Sequence, residues 1–126
     1  MPKQNDFDGA FKGLRRLLKT RAPNLFVKLD APGEYYLETK EPLWKGERLF
    51  VAAVKKNKNY VSFHLVTVYM YPDLLGKISP GLKKRMQGKG CFNFTAPDRV
   101  LFEELSDLVD AGFRAFKKRG LPARTS

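Results

Sequence analysis

The chain holds one histidine and one cysteine, His64 and Cys91, each inside a short apolar segment of alternating character. Read as an extended strand, Tyr60–Met70 places Val61, Phe63 and Leu65 on one side and Ser62, His64 and Val66 on the other. Over Cys91–Phe94, Phe92 and Phe94 oppose Cys91 and Asn93 in the same way. If the phenylalanines face packed helices, then Ser62, His64, Cys91 and Asn93 share the open face of a sheet. A thiol beside an imidazole is a candidate nucleophile when nearby cations favour the thiolate, and Lys89 is close in sequence. The plainer alternative to catalysis is a half-exposed sheet face with a small buried cysteine and a hydrogen-bonded histidine, and it is adopted. Ser62, His64, Cys91 and Asn93, with Lys83, Lys84, Arg85 and Lys89, are then expected to hold an anionic ligand on this open face or in the adjacent cleft.

A second candidate is electrostatic. Lys and Arg number 24 against 13 Asp and Glu, a formal charge of +11. The excess is uneven: residues 48–97 hold nine Lys and Arg and a single acid, Asp73, which supplies +8 of the total. Lys83, Lys84, Arg85 and Lys89 are the densest part, beside a Gly88-Lys89-Gly90 turn whose backbone N–H groups can approach a phosphate. The spacing matches neither nucleotide-binding glycine motif. A balance this basic implies an anionic partner, either a small molecule or nucleic acid. Its alternative is a solvated charged surface. For nucleic acid, bases would stack on exposed aromatics such as Trp44, Tyr60 or Tyr69.

Oxygen ligands gather in one place. Glu103, Asp107 and Asp110 stand at helical spacing with Glu104 alongside, the one surface suited to a hard metal ion. The same residues are expected on the polar face of an amphipathic helix, and a strongly cationic protein repels metal cations. No metal or other cofactor is assigned. One histidine and one cysteine exclude paired metal histidines, multi-cysteine zinc and an intrachain disulfide. No Ser-His-Asp order appears, so the chain reads as a binding module rather than an enzyme.

Elements must position these groups. Phe7, Ala10, Phe11, Leu14, Leu17 and Leu18 form one helical stripe, capped by Asn5 or Asp6 and ended by Ala22-Pro23-Asn24. Strands are expected at 25–29, 34–39, 48–55 and 60–70, with a loop from Pro42 to Gly46 and a polar hairpin tip at 56–59. One short helical turn covers 73–76, and Ser79-Pro80 opens a short helix through Met86. A last strand, 91–94, precedes a closing helix with Leu101, Leu105, Leu108, Val109, Gly112 and Phe116 on one face. Asp98, alone or with Thr95, caps that helix, and Gly120 and Pro122 stop it. The class is α+β: an antiparallel sheet with the N- and C-terminal helices packed on one face.

At 126 residues the chain is one domain, 1–126, with its core at about 7–119. The longest apolar run is Leu49–Val54, far short of the ~20 residues of a membrane helix. The first residues carry no signal-peptide stretch, so a cytoplasmic protein is expected, with no membrane partner.

Tyr60-Val61-Ser62-Phe63-His64, followed by Gly88-Lys89-Gly90-Cys91-Phe92-Asn93-Phe94, resembles the YdhG-like family of small α+β domains. The order of elements is similar over roughly residues 7–119. The resemblance implies a leading helix, a strand hairpin, a glycine turn into a short strand and a closing helix. It implies no catalytic residue. Some members carry a frataxin-like iron-chaperone description, so iron carriage joins nucleic-acid binding as an alternative to a small anionic ligand.

Overall fold

The structure is a computed structural model that describes residues 5–44 and 46–119, with backbone only at 42–44. Helix α1 runs over Phe7–Lys19 and begins where the Asp6 carboxylate accepts from the Gly9 N–H. Its apolar stripe, at three- and four-residue spacing, buries Ala10, Phe11, Leu14, Leu17 and Leu18. A 3₁₀ turn at Ala22–Asn24 leads into the strands. These are β1 (Leu25–Ala31), β2 (Glu34–Trp44), β3 (Glu47–Lys56), β4 (Val61–Leu65) and β5 (Cys91–Phe94), all antiparallel and adjacent in chain order.

Between β4 and β5 the chain crosses α2 (Val66–Met70), a 3₁₀ segment Pro72–Lys77 and α3 (Pro80–Lys83). Helix α4 (Arg99–Arg119) closes the described fold, and Asp98 caps it by accepting from the Leu101 N–H. The stops at Gly120 and Pro122 lie outside the described residues.

One core joins the two long helices to the inner face of the sheet. Leu14 and Leu18 from α1, and Leu105 and Val109 from α4, meet Leu37, Ala52, Val54, Val61, Phe63, Phe92 and Phe94. Burial of each large side chain contributes about 1.5–3 kcal/mol. Arg21 ties the helices at one end: its guanidinium donates to both Asp110 carboxylate oxygens (3.1 and 3.0 Å) and to Ser106 Oγ (2.7 Å). The α+β expectation holds, with both terminal helices on one sheet face.

Three local expectations are corrected. The strand expected over Tyr60–Met70 ends at Leu65, and Val66–Met70 turns into α2. Its β-branched residues favour a strand, but Thr67 and Val68 are buried, with α2 packed against α4. The helix expected through Met86 stops at Lys83, because Arg85 to Gln87 pairs back on β5 through the Asn93 N–H to Arg85 C=O and Gln87 N–H to Cys91 C=O bonds. The loop expected from Pro42 to Gly46 is shorter, since β2 runs to Trp44 and β3 starts at Glu47.

Candidate functional site

Register brings the four polar residues together. Asn93 pairs with Ser62 and Cys91 with His64 across β4 and β5, so all four project from the face opposite the helices. Gly88, at φ +77°, makes the turn that returns the chain into β5, a conformation that glycine adopts without steric cost. The Gly90 carbonyl then accepts from the Leu65 N–H and aligns Cys91 with His64.

The contacts are specific. Cys91 Sγ lies 3.8 Å from His64 Nε2 and 3.5 Å from Asn93 Oδ1. Asn93 Nδ2 donates to Gln87 Oε1 at 3.0 Å. Ser62 departs from expectation: it is only 3% exposed, its hydroxyl donating to the Lys55 carbonyl and accepting from Asn57 Nδ2. The hairpin tip folds over it, so Ser62 is a spacer in this patch rather than an available contact. His64, Cys91 and Asn93 are half-buried.

Electrostatics oppose a thiolate here. Desolvation pushes the Cys91 thiol above its ordinary value, and desolvation followed by the Lys55 charge pushes the His64 imidazole below its own. Both shifts favour the neutral forms. Cys91 and His64 are therefore a neutral contact pair, and Lys89 does not activate the thiol.

Beyond β5 stands the basic edge. Lys83, Lys84, Arg85 and Lys89 are exposed, and none forms an ion pair or side-chain hydrogen bond among the described residues. The basic residues of α1 and the turn after it differ: Arg15 holds Asp30 through two bonds (3.1 and 2.7 Å) and Arg21 holds Asp110.

The acids of α4 do not converge. Asp110 is held by Arg21, Glu103 sits 3.5 Å from Arg99, and Glu104 accepts from the Ser79 N–H and hydroxyl, both at 2.6 Å. Among the described residues no group of three or more His, Cys, Asp and Glu is placed to hold a metal ion.

Sequence reasoning missed two features. Over β1 to β3 the outer face carries Phe26, Tyr36 and Phe50, with the Tyr36 and Phe50 rings 5.0 Å apart. The Arg48 guanidinium lies 3.9 Å from the Phe26 ring centre, and the Lys28 ammonium 5.5 Å from that of Tyr36. Strand alternation from β1 to β3 could have found this cluster. Of the aromatics expected to stack bases, Tyr60 is exposed at the hairpin tip, Tyr69 sits on α2 on the helix side, and the side chain of Trp44 lies outside the described residues.

The second is a cavity of about 860 Å³ on the helix side, between the end of α4, α2 and the far ends of β2 and β3. No local pattern announces it, because its walls come from five separate stretches of chain. Among the described residues, no helix is long and apolar enough to cross a membrane. Compared with protein-family models, curated proteins and solved structures, the chain matches none, and its own geometry is the guide to function.

Proposed function

We propose that the chain is a YdhG-like cytoplasmic binding domain for an anionic ligand, held on the open sheet face at its β4–β5 side. The observation that supports this is the unpaired basic edge beside a half-buried polar patch. Lys83, Lys84, Arg85 and Lys89 have no acidic partner among the described residues. The Asn93 N–H to Arg85 C=O and Gln87 N–H to Cys91 C=O bonds lay the segment from Arg85 to Gln87 alongside β5, whose Cys91 pairs with His64. A cation without a partner retains its full attraction for an incoming anion. The neutral Cys91–His64 pair supplies weak hydrogen-bonding groups and no nucleophile, which favours binding over catalysis.

The test is retention on a phosphate-bearing matrix. Replacing Lys83, Lys84, Arg85 and Lys89 by Gln should remove most retention. The same change at Arg15, Arg16, Lys19 and Arg21 should remove less, since Arg15 and Arg21 already serve acids of their own. Equal losses from both variants, or no loss from the first, would overturn the proposal.

Single-stranded nucleic acid is a second reading, favoured by the Phe26, Tyr36 and Phe50 cluster on the same sheet face. It requires a steep salt dependence, about 0.7 per phosphate neutralised. A compact anion would show a shallower slope and would be displaced completely by inorganic phosphate.

A further inference from the structure

The cavity on the helix side has a composition of its own. Leu25, Leu49, Val51, Met70, Phe113 and Phe116 supply apolar walls to a volume of about 860 Å³, within the range of small-molecule sites. Its charged lining is Arg21, Lys40, Glu41 and Lys117. Arg21 is committed to Asp110 and Ser106, whereas Lys40 and Lys117 are exposed and form no ion pair among the described residues. Thr67, in the same wall, keeps a buried hydroxyl with no hydrogen-bond partner among the described residues.

We propose that this cavity binds a monomeric long-chain carboxylate, with its alkyl chain among the apolar walls and its head group at Lys40 and Lys117. Apolar walls select the chain by desolvation, and two uncommitted ammonium groups select the sign of the head. Glu41 opposes that head and sets an upper limit on affinity. The site is lined by none of the residues of the basic β5 edge.

Titration calorimetry with sodium dodecanoate below its micelle concentration tests the assignment. Saturable binding is expected, roughly fifteenfold weaker for decanoate, which has two fewer methylenes to bury. Dodecyltrimethylammonium, with the same chain and the opposite charge, should bind about tenfold weaker or less tightly still. Lys40→Gln with Lys117→Gln, both exposed and so harmless to folding, should weaken dodecanoate to the level of the cationic amphiphile. Glu41→Gln should tighten it about twofold. The Lys83, Lys84, Arg85 and Lys89 variant should bind dodecanoate as the wild type does, which separates this site from the anion surface. Absence of saturable binding, or equal affinity for both amphiphiles, would sink the proposal. So would a dimer dispersed by Tyr69→Glu, which assigns the cavity to a second copy, or binding only to phosphatidylglycerol vesicles, which assigns it to a lipid surface.

Discussion

The two faces of the sheet are built on opposite terms. On the helix face, Leu37, Ala52, Val54, Val61, Phe63, Phe92 and Phe94 meet α1 and α4 in a dry core where shape decides what is tolerated. On the outer face, the neighbours of those same residues are Tyr36, Ala53, Ser62, His64, Cys91 and Asn93, held by register and a few hydrogen bonds. One strand thus serves both demands, since each step of the backbone alternates them. The side that stabilises the domain is kept apart from the side that is free to meet a partner.

If that division is right, the largest effects belong to the core. Leu105→Ala and Phe63→Ala, both fully buried, should each destabilise the domain by about 2–5 kcal/mol in urea denaturation. Cys91→Ala and Asn93→Ala on the outer face should stay within about 1 kcal/mol. Comparable losses from the two sets would mean that both faces stabilise the domain alike.

The next effect comes from the seam between α2 and α4. A Cβ built on Gly112 would stand 2.0 Å from Thr67 Oγ1 and 2.7 Å from Thr67 Cβ. Gly112→Ala should therefore cost about 1–3 kcal/mol, although alanine is the better helix former. Thr67→Ala in the same chain should recover part of that loss, and a double-mutant cycle by thermal denaturation measures the coupling. Additive losses would mean that α2 moves aside. Thr67→Val, which removes the unpartnered hydroxyl at nearly constant shape, should be neutral or stabilising by about 1 kcal/mol.

The smallest effects are titrations on the outer face. Because His64 has a native pKa below its ordinary 6.5, the unfolded chain takes up its proton first as pH falls. Its contribution to stability is present above that value and is lost between there and the native pKa. Urea midpoints at roughly pH 7.5 and 5.5 should differ less in His64→Gln than in the wild type. A midpoint difference unchanged by the substitution would place His64 in water. The Cys91 thiol, raised by desolvation, should react with iodoacetamide at roughly pH 8 more slowly in the native protein than in the unfolded chain. Faster native alkylation would restore the thiolate reading.

Much of this fold was legible in local pattern. The α1 stripe, the caps at Asp6, Ser79 and Asp98 and the alternation of β4 and β5 all depend on neighbours a few residues apart. The pairing of His64 with Cys91 could be anticipated as a shared face, because period-two alternation leaves few alternatives. Val66–Met70 shows the limit of local pattern: its composition favours a strand, and only its packing against α4 makes it a helix. Ser62 lies on the face that alternation assigns to it but is covered there, since the tip residue Asn57 donates to its hydroxyl.

The class, the helical and strand periods, the polar face of each strand and the location of the positive charge are all written in the local order of residues. Each of these follows from spacing or composition. Tertiary structure alone decided which charges stay free, by giving Arg15 to Asp30 and Arg21 to Asp110 while leaving Lys83, Lys84, Arg85 and Lys89 unpaired among the described residues. It also decided that the α4 acids do not converge and that Leu25, Leu49, Met70 and Phe116 enclose one cavity. The cause is distance along the chain: Arg15 and Asp30 stand 15 residues apart and Arg21 and Asp110 stand 89 apart, and no periodicity records which of them meet.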